Sequence, residues 1–241
     1  MKVAEKIEKK LNRLEDGATF NYRELGIEPS EYSAAAKAME RLIKKGVVNR
    51  ASTGLFYKPR KTVFGDLKPK EEALLRPYLF DGSKRIAYIT GTALYNKLGL
   101  TTQIPKNYKV ASRSKRVITK IGNIKVNAVK SYVEVTNDNY FLLEILDVLK
   151  DFKKIPDMDT GSALKNILKK IKELAIDDKE RLIRIVFKYP PRVRALLGAM
   201  LSSLKLNRNL DVLRKSINPL TIYKYGIKIE LLPTIKNWNI Q

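Results

Sequence analysis

The segment that most constrains the fold of this chain is residues 30–46, because its apolar and cationic side chains fall on opposite faces of one predicted helix. Its apolar residues recur at helical spacing and are Ala35, Met39, Leu42 and Ile43. Two lysines followed by Gly46 are typical of a helix end. We therefore expect a helix over 30–45 that buries one face and leaves the other in solvent.

The solvent face of this predicted helix carries Ser33, Lys37 and Arg41, four positions apart. Ser30 precedes them, and we expect its hydroxyl to cap the helix by accepting an unpaired backbone N–H. Small hydroxyl and long cationic side chains on one face suit close approach to a DNA groove. The sequence thus makes this face a candidate for contacts with bases and phosphates.

Two short runs of β-forming residues, 47–51 and 55–58, follow the helix and are joined by a turn that contains Gly54. Arg50 and Lys58 in this predicted hairpin are placed to contact phosphates. Residues 2–15 have helical periodicity as well, and a brief helical segment over 23–25 is expected to end at Gly26, before the longer helix. Helix, turn, helix and basic hairpin in this order predict a winged helix-turn-helix; the alternative is a small helix-plus-hairpin fold whose basic face is only solvated.

The charge of the chain points to a polyanionic partner. It has 48 Lys and Arg against 25 Asp and Glu, a net charge of +23. Nucleic acid is the first candidate for that partner, an anionic membrane surface the second and an acidic protein the third. With no cysteine and no histidine, the chain has no disulfide, no Cys/His zinc site and no histidine base.

The chain has no apolar run close to the roughly 20 residues that span a bilayer. Its N-terminus is charged and amphipathic, unlike a signal peptide. We therefore expect a cytoplasmic protein without a membrane partner.

No acidic residue lies between Asp81 and Glu134, whereas eleven Lys or Arg do. Arg113, Lys115 and Arg116 are the densest part of this basic region. We interpret the region as a second surface that contacts nucleic acid, because a surface of one charge repels itself unless a partner neutralises it. The alternative is a strand-rich region whose lysines protect sheet edges.

The expected fold class is α+β, with a winged helix-turn-helix domain at 1–62 and a larger α/β domain at 63–241 that has a small sheet and a helical, bundle-like end. Residues 59–72 are rich in proline, glycine and charge and indicate a linker. The predicted strands of the second domain are 108–112, 116–121 and 124–130. Its predicted helices are 91–98, 137–152, 162–175, 178–187, 191–204 and 208–216.

Several motifs give the chain a resemblance to a known family. ITGTALYNKLGLTTQIPKNYKVAS (89–112) is the most specific, and KRVITKIGNIKVNAVKS (115–131) follows it. Near the end are YPPRVRALLGAML (189–201), INPLTIYKYGI (217–227) and LLPTIKNWNI (231–240). Together with the predicted winged helix, these motifs resemble AbiEi-type antitoxins and transcriptional regulators of abortive-infection, type IV toxin–antitoxin systems.

This resemblance implies that the N-terminal domain binds inverted repeats in double-stranded DNA at the promoter of its own operon, as a repressor. It also implies that the C-terminal domain shares in repression and acts as the antitoxin. The toxin of such systems is nucleotidyltransferase-like and is opposed without a stable complex. The alternative is a solitary winged-helix regulator, or a protein-binding module without a toxin.

An enzyme is the main rival class, and we do not expect one. Asp157, Asp159 and Ser162 superficially resemble nucleotidyltransferase elements, but their order is reversed and their spacing too short for two metal-binding carboxylates. We interpret them as a capped loop before a helix. No phosphate-binding glycine loop is present, so neither a cofactor nor a metal is expected. Exposed apolar helices over 162–216 would instead indicate a protein-interaction module, but we expect Leu196, Leu197, Met200 and Leu201 to be core.

Overall fold

A computed structural model describes residues 2–63, 65–206 and 210–241. The chain is a mixture of many helices and several small sheets, so the expected α+β class is observed at that level. It divides into two compact units. The first comprises Met1–Arg85 and Val117–Val126, and the second comprises Ile86–Arg116 and Asn127–Gln241.

Within the described residues the α-helices are α1 (Val3–Leu11), α2 (Tyr32–Lys44), α3 (Glu71–Leu79), α4 (Thr92–Lys97), α5 (Tyr140–Asp151), α6 (Thr160–Glu173), α7 (Ile176–Val186), α8 (Pro191–Ser203) and α9 (Leu210–Lys215). The strands are β1 (Thr19–Phe20), β2 (Asn49–Ser52), β3 (Leu55–Tyr57), β4 (Arg60–Thr62), β5 (Gly65–Leu67), β6 (Phe80–Asp81), β7 (Lys84–Arg85), β8 (Ala87–Thr90), β9 (Asn107–Ser112), β10 (Thr119–Ile121) and β11 (Ile124–Lys130). Short 3-10 helices occupy Pro29–Glu31, Phe152–Lys154 and Pro233–Trp238.

The core of the first unit lies between α1, α2 and a three-stranded sheet of order β1-β3-β2. Ala35, Met39 and Leu42 on α2 are buried, as their spacing predicts, and Ala38 joins them. Ile7 and Leu11 of α1 belong to the same cluster, together with Phe20 of β1 and Phe56 of β3, which lie opposite each other in the sheet. The apolar face of α2 is therefore held from two sides.

Helix α2 begins differently from the prediction. Ser30 is exposed within the 3-10 turn and does not cap the helix. Glu28 and Glu31 close the turn before the helix instead: the Glu28 N–H donates to Glu31 Oε2 at 3.0 Å, and the Glu31 N–H donates to the Glu28 carbonyl at 2.9 Å. Lys6 Nζ also donates to Glu31 Oε2, at 3.3 Å. The hydrogen bond from the Glu28 N–H, and then that from Lys6, hold the pKa of Glu31 below its usual range.

The first unit extends beyond the predicted boundary at residue 62. Residues 59–72, expected to be a linker, form the hairpin β4–β5 and the start of α3. The Thr19 hydroxyl donates to the Ala73 carbonyl at 2.6 Å, which ties α3 to β1. The hairpin of β10 with the start of β11 also belongs here, with Thr119 opposite Val126. Tertiary contacts therefore keep this charged stretch in the unit, although its composition is that of a linker.

The second unit packs helices α4 to α9 and the last residues of the chain around one large apolar cluster. Strands β8 and β9 pair antiparallel with Tyr88 opposite Ala111, and β9 lies between β8 and β11 in their sheet. The predicted helices of this region are confirmed within a few residues at their ends. The part of the 208–216 prediction at residues 208 and 209 lies outside the described residues. Leu196, Leu197, Met200 and Leu201 are buried, as expected.

Trp238 fixes the end of the chain to α8. Its side chain is fully buried, and its indole N–H donates to Ser202 Oγ at 3.0 Å. Gly198 faces the six-membered ring of Trp238 so closely that an added Cβ would overlap the ring. Glycine at 198 is therefore required by packing, although it lies inside a helix, where alanine has the higher propensity.

Replacing Gly198 with alanine should destabilise the protein by about 1–3 kcal/mol, because neither α8 nor the indole can move without disturbing the core. Chemical denaturation of the full chain measures this change. Gly161→Ala is the matched control in α6, where the added Cβ would lie 3.6 Å from the nearest side-chain atom, on Leu231. An unchanged denaturation midpoint for Gly198→Ala would contradict the packing described here.

Candidate nucleic-acid interface

Helix α2 presents a polar, cationic face that no other element of the described residues covers. Ser33, Lys37 and Arg41 are all exposed and recur every four residues, so they form one line of about 12 Å along the helix. Their direction is set by the burial of Ala35 and Met39 on the opposite side. Ala34 beside Ser33 is exposed and small, which leaves room for a close approach.

The charges on this face are available to an external anion. Among the described residues, no carboxylate forms an ion pair with Lys37 or Arg41. Other cations of the unit are engaged, as in the pair of Arg23 with Asp81 at 2.8 Å. A helix surface with two unpaired cations is an electrostatic feature that folding alone does not require.

An aromatic cluster connects the start of α2 to the β2–β3 hairpin. The Tyr22 ring lies 5.3 Å from that of Tyr32 and 5.4 Å from that of Phe56. The exposed Arg50 guanidinium lies 5.5 Å from the Phe56 ring centroid. Burial raises the pKa of the Tyr22 hydroxyl, which remains a hydrogen-bond donor. The sequence patterns did not single out Tyr22 or Tyr32, because an aromatic residue beside a strand or helix end usually packs inside.

Lys58 does not match its predicted role. Its ammonium donates to the Leu14 carbonyl at 2.9 Å and pairs with Asp16 at 3.0 Å, so it fastens the end of the hairpin to the segment after α1. The sequence placed Lys58 at the end of the predicted run 55–58, but it did not indicate that two acceptors from another segment lie beside it. We therefore remove Lys58 from the candidate contacts and retain Arg50.

Arg113, Lys115 and Arg116 are exposed in the second unit, in the loop after β9. The Arg113 guanidinium donates to the Tyr132 carbonyl at 2.9 Å, and the Lys115 N–H donates to Ser112 Oγ at 3.2 Å. These bonds anchor the loop. The ammonium of Lys115 and the guanidinium of Arg116 have no ion-pair partner in the described part of the chain.

Neither a metal site nor a membrane span is found in the described ranges. No group of three or more Asp or Glu side chains lies close enough to hold a metal ion there. Asp159 caps α6 by accepting the Ser162 N–H at 2.8 Å, which confirms the predicted capped loop. Hydrogen bonds from the Ser162 hydroxyl, and then from its N–H, lower the pKa of Asp159. Among helices of these ranges, none has the length and apolar character needed to cross a bilayer.

Comparison of the fold with solved structures shows similarity to the RV2827C protein from Mycobacterium tuberculosis, known from a crystal structure. The TM-score is 0.54 at 9% sequence identity, and the similarity covers 91% of this chain and 83% of that chain. At this identity the likeness concerns the fold alone.

No curated protein matches the chain. Residues 6–176, which are more than half of the sequence, match the model of a family of unknown function, DUF6088. The protein therefore belongs to the DUF6088 family.

Proposed function

We propose that residues 2–58 form a winged-helix DNA-binding domain and that the protein is a sequence-specific transcriptional repressor. The observation that carries the proposal is the exposed face of Ser33, Lys37 and Arg41 on α2, without ion-pair partners among the described residues. The order of α1, β1, a turn at 22–26, α2 and the β2–β3 hairpin supports it, since a winged helix places its recognition helix between a first helix and a hairpin, with the turn at 22–26 in the place of the short second helix.

In this proposal α2 enters the major groove, which is about 12 Å wide and admits a helix. Ser33 and Lys37 contact base edges, while Arg41 and Arg50 contact phosphates on either side of the groove. Ser30 and Tyr32 are both exposed at the start of the helix, so their hydroxyls can contact the DNA backbone in addition. Base contacts provide specificity, and the net charge of +23 provides salt-dependent affinity.

Lys37→Ala should weaken binding to the preferred duplex by about 1–3 kcal/mol if Lys37 contacts a base, and should change random DNA much less. The preferred duplex is obtained by selection from a random library and by testing the DNA upstream of the protein's own gene. Affinities are measured by fluorescence anisotropy at one fixed salt concentration, because the affinity of a protein for DNA falls steeply as salt rises.

Lys10→Ala is the matched control, since Lys10 is an exposed lysine of the same unit on α1. It should leave the affinity for the preferred duplex nearly unchanged. If Lys37→Ala loses the same affinity for preferred and random DNA, Lys37 contacts a phosphate and not a base. If Lys37→Ala and Arg41→Ala both keep the wild-type affinity for the preferred duplex, α2 does not contact DNA.

Arg113, Lys115 and Arg116 are proposed as additional phosphate contacts. If all three contact phosphates of the bound duplex, changing them together to glutamine should reduce the slope of log affinity against log salt by up to about three, at about 0.9 per phosphate. Titrations at several salt concentrations measure the slope. A slope equal to that of the wild-type protein would exclude these residues from the duplex.

The resemblance to AbiEi-type regulators extends the proposal to an antitoxin that opposes a nucleotidyltransferase-like toxin. Co-expression with a nucleotidyltransferase encoded beside its gene should restore the growth that this enzyme inhibits, without a stable complex on co-purification. Unrelieved toxicity would reject the antitoxin role. It would leave the alternative of a solitary DNA-binding regulator, which the affinity measurements test separately.

A further inference from the structure

A cationic pocket lies in the second unit, separate from the residues considered so far. It is an open cavity of about 260 Å³ at the end of α5 and the start of α8. The cations that line it are Lys150, Lys153, Lys154, Arg192 and Lys224. No carboxylate is among the side chains of the described chain that line this cavity.

The charge of the pocket is only partly neutralised within the protein. Lys150 Nζ lies 2.8 Å from Asp147 Oδ1 and 3.7 Å from Asp151 Oδ2. The other four cations have no ion pair within the described residues. Five cations and these two carboxylates leave three positive charges around one cavity. Like charges gathered around a concavity repel one another until an anion enters it.

Lys150, which lines the pocket, is held in place by buried polar contacts. The carboxylate of Asp147 is buried and accepts hydrogen bonds from Tyr88 Oη at 2.9 Å and Thr90 Oγ1 at 2.7 Å, besides the bond from Lys150. Burial would lower the pKa of Lys150, but the Asp147 carboxylate outweighs it and raises that pKa. Lys150 therefore stays charged and in place at neutral pH.

Tyr225 joins α5 and α8, which carry two of the cations, Lys150 and Arg192. Its hydroxyl lies 3.2 Å from the Leu149 carbonyl of α5 and 3.0 Å from the Arg192 carbonyl of α8. Tyr223 also lines the pocket, and its backbone is bonded on both sides to the end of the chain, at Asn239 and Gln241. A site held in this way loses little freedom when it binds, which favours affinity.

We propose that this pocket binds a run of phosphate groups that carries about three negative charges. One phosphate monoester carries at most about two charges, fewer than the three positive charges left in the pocket. Three consecutive diester phosphates of a nucleic-acid strand, or the triphosphate of a nucleotide, match this charge. Tyr223 adds an aromatic ring on which a base can stack in either ligand.

This inference does not depend on DNA binding by α2, because every residue of the pocket lies in the second unit. It also differs from the proposed role of Arg113, Lys115 and Arg116, none of which lines the cavity. An experiment that rejects DNA binding by α2 or by Arg113, Lys115 and Arg116 would therefore leave the proposal for the pocket untouched, and the reverse also holds.

The test is calorimetric titration of the full-length protein, at constant ionic strength, with tripolyphosphate, ATP and a single-stranded oligonucleotide of about ten nucleotides. The wild-type protein should bind at least one of these ligands saturably. The triple variant Lys153→Gln, Lys154→Gln, Lys224→Gln should weaken that binding by at least about tenfold, since it removes three charge-assisted contacts. The corresponding triple variant with arginine keeps the charge and should retain binding.

The matched control is Lys165→Gln, Lys172→Gln, Lys188→Gln, which removes the same charge from exposed positions of the second unit outside the cavity. It should change the affinity by less than about twofold, apart from the general effect of net charge. If the Lys153, Lys154 and Lys224 glutamine variant loses only the binding of the oligonucleotide, the ligand is a nucleic-acid strand. If it loses the binding of ATP and tripolyphosphate, the ligand is a free polyphosphate. Absence of saturable binding by the wild-type protein, or equal weakening in both glutamine variants, would overturn the inference.

Discussion

The burial of one face of α2 is the constraint from which the rest of the first unit follows. Met39 and Leu42 are each worth about 1.5–3 kcal/mol when removed from water. A surface ion pair such as Lys6 with Glu31 contributes far less, because solvent screens it. Apolar burial therefore decides how the helix is rotated, and Lys37 and Arg41 face solvent as a consequence. The cationic face of α2 therefore faces solvent because the opposite, apolar face of the same helix is buried.

The second unit combines a large apolar core with positive charge at its surface. Its main buried carboxylate, Asp147, is fully bonded and fixes Lys150 at the edge of the core. The unpaired cations around that lysine add self-repulsion, which the buried residues of α5 and α8 offset. The exposed face of α2 and the pocket around Lys150 both gather unpaired cations, and such surfaces are well suited to ligands with many phosphates. We regard this shared feature as the physical link between the two proposals.

The sequence predicted well those elements whose periodicity reports burial. Helices α5 to α8 and the apolar face of α2 could be identified because their apolar residues recur at helical spacing. The predicted linker was wrong at β4, β5 and the start of α3, because composition alone does not reveal the bond from Thr19 to Ala73. Lys58 was misassigned for a similar reason, since its partners Leu14 and Asp16 come from another segment. Ser30 was misassigned as a cap because its neighbours Glu28 and Glu31 close the turn before α2. The cationic pocket was missed because its cations come from three stretches that only the fold brings together.

The most direct test of the account is a nuclear magnetic resonance titration of the isotope-labelled full-length protein with its preferred duplex. It reports on each backbone amide without altering any side chain. We predict that the amides of Ser33, Lys37 and Arg41 shift together and saturate at one equivalent of half-site, with Arg50 following them. Saturable binding of the duplex that leaves all amides of α2 unchanged would contradict the central claim that this helix contacts DNA.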